Sequence, residues 1–305
     1  MSWALGALTA LAAAPFLREG LRPRMGARAR QAAPGAFAAL PQGATHYRWL
    51  GAESGPVAVC VHGLTTPSPV WEALAEALGG MGYRVLIYDL YGRGYSDRPR
   101  GAQDADFFAG QLEALLADQG IEEKITLLGY SMGGMIAPRF AVRNPGRLRR
   151  MILLAPAGIG HDLGPASRLM ANTGPFGTWA MLLIYGRSLR RALEAERAQP
   201  GAVPGMIDIQ IAQTRQRGFL PAVLSSLRHT LDTDCAADHR ALAEAGTPVL
   251  AIWAEKDEVI PLAGRETLAA WNPGAGHEVV PDAGHALPYS HPEEVAAILR
   301  RRLGD

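Results

Sequence analysis

Lysine is almost absent from this chain: of 30 basic residues only Lys124 and Lys256 are lysines, and the rest are arginines. Against 29 acidic residues the formal net charge is +1. That balance gives no reason to expect a nucleic-acid partner or steering by the whole-protein field. Cysteine is equally scarce. Cys60 lies in an apolar run and Cys235 in a polar stretch, too few for a disulfide framework, so two free thiols in a reducing compartment are expected. Charged residues make up only 19% and apolar residues 48% of 305 positions. This sets aside a disordered chain and leaves one large domain, or two small ones, around a sizeable core. No apolar run reaches the ~20 residues that span a bilayer comfortably.

The first 30 residues differ from the rest. Ser2 to Leu17 carry no charge, and Trp3, Leu5, Leu8, Leu11, Phe16 and Leu17 are spread among alanines. Arg18, Arg22, Arg24, Arg28 and Arg30 follow, opposed by Glu19 alone. A secretory signal carries its positive charge ahead of the apolar run, and here it comes after; Ala12-Ala13-Ala14 resembles a cleavage site, but Pro15 follows it. Two readings stand. Residues 1–30 form a shallow interfacial anchor on the cytoplasmic side of a membrane, with the arginines on anionic headgroups, or a helix packed on an otherwise soluble cytoplasmic protein.

Beyond Pro34 to Gly43, which reads as an irregular linker, short apolar runs alternate with helical stretches. Strands are expected at Tyr47–Leu50, Val57–Val61, Arg84–Tyr88, Ile125–Leu128, Met151–Leu154, Pro248–Trp253 and His277–Val280. Helices are expected at Val70–Leu78, Asp104–Gln119, Met132–Asn144, Leu262–Trp271 and Pro292–Leu303. From about Gly160 to Ala245 the alternation lapses into helical patterns, including Arg187 to Ala198, with no convincing buried strand. The expectation is an α/β fold: a mostly parallel sheet of about eight strands, helices on both faces, and a helical cap inserted after the sixth strand. The core would then comprise residues 31–159 and 246–305, and the cap residues 160–245.

The strongest local signal is Gly129-Tyr130-Ser131-Met132-Gly133-Gly134, which follows a buried strand and opens a helix. A serine forced onto so tight a turn needs glycines two before and two after it, because a Cβ there would strike the neighbouring chain. The turn lifts the Ser131 hydroxyl out of the sheet and sets it at a helix N-terminus, where the Met132 N–H can donate to a developing oxyanion. A serine hydroxyl is a weak nucleophile near neutral pH, so a base must lie within reach. Of eight histidines, His285 stands out because Asp282-Ala283-Gly284-His285 follows the last expected strand, at the sheet end where such folds place their sites. Asp257, directly after the strand ending at Trp253, is the group expected to orient the imidazole; its neighbours Glu255 and Glu258 read as solvent-facing charge. The chain order Ser131, Asp257, His285 fits this class of site. The turn His62-Gly63-Leu64-Thr65-Thr66 should aim a second main-chain N–H, that of Leu64, at the same oxyanion.

Taken jointly, His62-Gly63, the run Asp89 to Asp97, Gly129 to Gly134, Asp257 and Asp282 to His285 resemble the α/β-hydrolase superfamily over roughly residues 44 to 303. The set is similar to the branch holding esterases, lysophospholipases and monoacylglycerol lipases. The resemblance implies that Asp89 and the Gly92-Arg93-Gly94 turn are structural, and that the reaction needs no cofactor and no metal. The expected activity is hydrolysis of a small-molecule carboxylic ester through an acyl-enzyme on Ser131. Serine at this position speaks against relatives that use an aspartate nucleophile. Carbon–carbon bond hydrolases and cofactor-free perhydrolases share the triad; the former usually carry an Arg before the acid and a Trp after the histidine, where this chain has Lys256 and Ala286. A non-catalytic binding protein on this fold is the reading of another class, and the intact triad argues against it. Met170, Phe176, Trp179 and Phe219, from the apolar part of the expected cap, either line an acyl pocket or pack the cap onto the sheet. Nothing in the sequence sets the oligomeric state.

Overall fold

Eight strands form one sheet in the computed structural model, which describes residues 2–197 and 201–303. They are β1 (Ala36–Leu40), β2 (Gly43–Gly51), β3 (Val57–Val61), β4 (Arg84–Tyr88), β5 (Ile125–Tyr130), β6 (Leu148–Leu154), β7 (Val249–Ala254) and β8 (Gly276–Val280). Their order across the sheet is β1-β2-β4-β3-β5-β6-β7-β8. β1 and β2 are antiparallel, β2 is antiparallel to β4, and every pair from β4 to β8 is parallel. Central strands in such a sheet are covered on both faces, which is why they read as unbroken apolar runs. Val57, Val59 and Val61 point into the larger cluster, under the helices Ala105–Asp118 and Gly133–Arg143, while Ala58 and Cys60 point into the other, under Glu72–Gly80 and Pro292–Leu303. Cys60 and Cys235 are both buried free thiols.

Three sequence expectations change. The stretch read as an irregular linker holds β1, and the first expected strand is the longer β2; the two pair in register from Ala36–Tyr47 to Leu40–Gly43. Ala36-Phe37-Ala38-Ala39-Leu40 has no β-branched residue, so its strand state comes from pairing with β2 and not from propensity. The helix expected at Val70–Leu78 begins as a 3-10 turn, Ser68–Trp71, before Glu72–Gly80. Between β6 and β7 the helical region contains Gly164–Asn172, Gly174–Ala180, a wide π-turn at Met181–Tyr185, Gly186–Glu196, Met206–Gln213, Phe219–His229 and Ala236–Glu244. Ala198, the expected end of one of these helices, lies outside the described residues, as do Met1, Gly304 and Asp305.

The N-terminal segment forms a helix, Ser2–Gly20, that rests on the inserted helices Gly174–Ala180 and Met181–Tyr185. Among the described residues, no helix is long and apolar enough to cross a membrane.

The chain runs from β3 to β4 on one side, then crosses to β5 on the other, so β3 and β5 flank a point where the winding direction reverses. In open α/β sheets the crevice at that point, beyond the strands' C-terminal ends, is where ligands bind. The loop leaving β4 is pinned there by Asp89. Its carboxylate accepts from His46 Nδ1 on β2 at 2.8 Å, from the Ser68 amide at 2.8 Å and from the Tyr95 amide at 2.9 Å. Burial alone would raise the Asp89 carboxyl; the hydrogen bond and charge of His46 and the Ser68 amide carry it well below the ordinary range. Burial would likewise lower His46, and Asp89 together with the Pro34 carbonyl outweighs it and raises the imidazole pKa.

Removing one partner from a buried pair leaves an uncompensated charge, so Asp89→Asn should lower the unfolding free energy by about 3–5 kcal/mol, read from urea denaturation near pH 6. The sign of the pH effect follows from the direction of the two shifts. A histidine raised on folding contributes fully below its unfolded pKa of about 6.5 and loses that contribution as the pH climbs through its folded value. The Asp89 contribution disappears only in acid. The parent protein should therefore lose denaturant resistance on the alkaline side, and the Asp89→Asn variant should show a flatter profile there.

Candidate active site

Ser131, Asp257 and His285, far apart in sequence, meet at the C-terminal edge of the sheet. Ser131 follows β5 with φ +53°, a left-handed conformation that serine seldom adopts. Main-chain bonds hold it there. Its N–H donates to the Leu154 carbonyl at 3.0 Å, and its own carbonyl accepts from Gly134 at 2.8 Å and Ala157 at 3.0 Å. The neighbouring glycines are steric requirements: a Cβ on Gly129 would lie 2.4 Å from the Gly133 carbonyl oxygen, and one on Gly133 would lie 2.2 Å from that of Val61. A strained serine of this kind costs of order 1–3 kcal/mol and persists only where the surroundings over-determine it.

The Ser131 hydroxyl lies 3.0 Å from His285 Nε2, and His285 Nδ1 lies 2.8 Å from Asp257 Oδ2. A carboxylate facing Nδ1 places the ring proton there and leaves Nε2 to accept from the hydroxyl. The other oxygen of Asp257 accepts the amides of Val259 and Ile260, each at 2.8 Å, so the carboxylate is fixed by its own loop. Its side chain is 1% exposed against 24% for His285, which puts the acid behind the imidazole and the imidazole at the cavity. The loops after β7 and β8 are tied together: Lys256 N–H donates to the Ala283 carbonyl at 2.8 Å, and the Asp282 amide donates to Glu255 at 2.9 Å. Glu255 and Glu258 are exposed, as expected from the sequence. Tyr130, the variable position of the serine motif, donates its hydroxyl to the His285 carbonyl at 2.8 Å and so braces the histidine loop.

The turn after β3 supplies the fourth side. A Cβ on Gly63 would sit 3.2 Å from Ser131 Cβ, so this turn lies directly against the serine. Among the described residues, the N–H groups of Leu64 and Met132 donate to no protein acceptor. Both amides belong to the turns that meet at Ser131, Met132 as its chain neighbour and Leu64 as the residue after Gly63. His62 is fully buried, accepts the Leu90 amide at Nε2 (2.9 Å) and donates from Nδ1 to the Gly63 carbonyl (2.8 Å); burial pushes its pKa down to about 4, so it acts as a neutral brace.

Sequence reading did not foresee how Arg93 is used. The guanidinium is wholly buried, and among the described residues it has no carboxylate partner. It donates to the Leu64 carbonyl at 3.0 Å, to the Tyr91 carbonyl and Gln103, and to Ser226 of the inserted helices at 2.9 Å. Burial, with the charge of Arg98, lowers its pKa to about 9, so it stays cationic near neutrality. Gln213, also inserted, accepts from the Gly94 amide at 2.6 Å and donates to the Thr65 carbonyl at 3.3 Å. The inserted helices thereby grip the turn that carries Leu64. The sequence signal was a lone arginine between glycines, and it carries no hint of its partners more than a hundred residues away.

Ser131 opens into a cavity of about 690 Å³. Its lining includes Gly63, Leu64, Tyr130 and His285 from the sheet loops, and the inserted segment adds the apolar side chains of Leu163, Leu189, Leu193, Leu227 and Leu231 with Tyr185, beside polar Asp162 and Ser167. A small polar group closes it, with the Tyr289 hydroxyl donating to Glu196 at 2.5 Å and Gln210 alongside. His161 also lines the cavity, but both ring nitrogens are engaged, with the Gly158 amide and the Leu231 carbonyl. None of Met170, Phe176, Trp179 and Phe219 lines it. Met170 and Phe219 are buried in the core, and Phe176 stacks on Trp179 at 6.0 Å on the outer side, 56% exposed. Their apolar character marked helix surface that packs or faces outward; the cavity face is made of leucines whose spacing is not distinguishable from core. Among the described residues no cluster of His, Cys, Asp or Glu side chains is grouped to hold a metal ion.

This fold and this site are those of the α/β-hydrolases, and the chain belongs to the alpha/beta hydrolase family, whose model matches residues 58–298. It is 29% identical to an uncharacterised protein of Mycobacterium tuberculosis over 82% of this chain and 76% of that protein. It is 27% identical to a 2-hydroxymuconate semialdehyde hydrolase of Pseudomonas putida, over 81% of this chain and 87% of that one. Among solved structures, a thermophilic esterase from Thermogutta terrifontis superposes with a TM-score of 0.72 at 24% identity, covering 89% of this chain and 98% of the esterase. These likenesses support a hydrolytic enzyme.

Arg93→Met removes the tie to Leu64 while filling much of the same volume. With the Leu64 amide in the expected role of oxyanion donor, the result should be a fall in kcat of roughly ten- to a hundredfold with a smaller change in KM, because displacing such a donor weakens mainly the transition state. Steady-state kinetics on an activated ester checks this, and equal changes in both parameters would contradict it.

Proposed function

We propose that the protein hydrolyses a carboxylic ester through an acyl-enzyme on Ser131. The observation that carries the reading is the unbroken chain Asp257–His285–Ser131, set among turns whose Leu64 and Met132 amides donate to no protein acceptor among the described residues. Ser131 Oγ attacks the ester carbonyl while its proton passes to His285 Nε2. Asp257 holds the imidazole and offsets its charge, and the Leu64 and Met132 amides receive the oxyanion. The alcohol leaves with the proton from Nε2, and a water deprotonated by His285 then releases the acid and restores the serine. The helices between β6 and β7, residues 160–245, act as a cap in this reading, and the leucine wall they contribute suits an apolar acyl chain. A lipid-like ester, with residues 1–30 in peripheral contact with a membrane, is the finer form of the same proposal.

Similarity to the semialdehyde hydrolase favours a second reading, carbon–carbon bond hydrolysis on the same triad. Lys256 and Ala286 stand where that group usually has Arg and Trp, which weighs against it.

Hydrolysis of p-nitrophenyl esters of rising acyl length should peak above acetyl and disappear in Ser131→Ala, together with labelling by a fluorophosphonate probe. In Asp257→Asn, where the imidazole loses its orienting charge, kcat should fall about a thousandfold or more. A sharp preference for acetyl would remove the apolar-chain reading. Turnover of a vinylogous diketone, with no ester activity, would move the assignment to the carbon–carbon hydrolases.

A further inference from the structure

The helix Ser2–Gly20 has no charged residue before Arg18, yet it is largely uncovered. Of its described side chains only Pro15 and Glu19 are buried, while Trp3 is 92%, Leu11 60% and Leu17 65% exposed. A helix that is apolar all round is stable in water only when something covers it. The inserted helices it rests on continue the apolar surface: Phe176 and Ile184 are both exposed, Phe176 stacks on Trp179, and the Trp179 indole N–H reaches the Leu11 carbonyl at 3.4 Å.

Where the apolar stretch ends, positive charge begins, and the fold concentrates it. Arg18 and Arg22 share a recess of about 270 Å³ with Arg190, Arg215 and Thr214 of the inserted region. Arg187 adds a further like charge nearby; burial first, then Arg215, Arg18, Arg22 and Arg187, depress the Arg190 pKa. Arg22 has a carboxylate, Glu19 at 2.6 Å, and Arg190 donates to Thr214 at 3.0 Å. Among the described residues, Arg18, Arg187 and Arg215 have no carboxylate within ion-pair distance. Holding like charges together without counter-ions is unfavourable unless an anion completes the cluster. A symmetric second copy is a poor complement, because a two-fold axis would set the same arginines against each other.

We propose that this composite face, the apolar helix Ser2–Gly20 with Phe176 and Ile184 together with the arginines at positions 18, 22, 187, 190 and 215, docks on the surface of an anionic lipid bilayer. It deepens the peripheral contact proposed above for residues 1–30, by assigning three of the five docking arginines to the inserted region. The helix lies in the interface, and the arginine recess takes lipid phosphates. Docking in this way sets the inserted helices, and so the roof of the Ser131 cavity, against the membrane.

The test is flotation of the full chain with vesicles of phosphatidylcholine alone or with one third phosphatidylglycerol, at low and high salt. Binding should require phosphatidylglycerol and weaken steeply with salt. The triple substitution Arg18→Gln, Arg190→Gln, Arg215→Gln should lower partitioning roughly a hundredfold, with hydrolysis of a soluble p-nitrophenyl ester unchanged as proof of folding. If that variant misfolds, the salt and lipid dependence of the parent protein still decides. Equal binding to both vesicle types, no binding to either, or a dimer in light scattering that Trp3→Ala dissolves would each overturn the proposal. Because ester hydrolysis is measured separately, loss of the docking claim leaves the esterase reading standing, and the reverse holds too.

Discussion

Everything in the site depends on one constrained residue, Ser131, held at positive φ between the ends of β3, β5 and β6. The approach is so close that Gly129 and Gly133 have no room for a Cβ, and the Gly63 turn lies against the serine itself. Tight apposition does two things at once. It lifts the hydroxyl above the sheet edge into the cavity, and it brings the Gly63–Leu64 turn directly against the serine. The strain is affordable because the parallel strands on either side are buried on both faces and cannot yield.

Around that point the protein uses buried polar groups as struts. Asp89 with His46, neutral His62 and buried Arg93 each join two or more loops at the same sheet end. Each is costly to bury alone and is retained because its hydrogen bonds are filled by main-chain groups and by neighbouring polar side chains. Arg93 differs from the others in reaching across to the inserted helices. The same helices that shape the cavity therefore also fix the position of Leu64, so in the proposed mechanism pocket shape and oxyanion stabilisation are coupled through one side chain.

Much of this was legible in the sequence, for identifiable reasons. The serine motif, Asp257 and His285 each sit just after an apolar run, and strand ends are the one feature that apolar runs mark well. β1 was not legible, since Ala36–Leu40 has neither β-branching nor length and becomes a strand only through β2. Nor was the cavity wall. Phe176 and Trp179 drew attention by their chemistry, but which side of an apolar helix faces a cavity depends on how helices pack, and Leu189, Leu193 and Leu227 carry no mark of it. The arginine cluster was legible only in part: Arg18 and Arg22 stand out in the sequence, while Arg190 and Arg215 join them only in the fold.

The central claim is covalent transfer of the acyl group to Ser131. Rapid quenching of the protein with p-nitrophenyl butyrate, followed by peptide mass analysis, tests it most directly. The account predicts a burst of p-nitrophenol in proportion to protein and a butyryl group on the peptide that carries Gly129 to Gly134. Turnover without a burst, with that peptide unmodified and the acyl group on another residue, would contradict it.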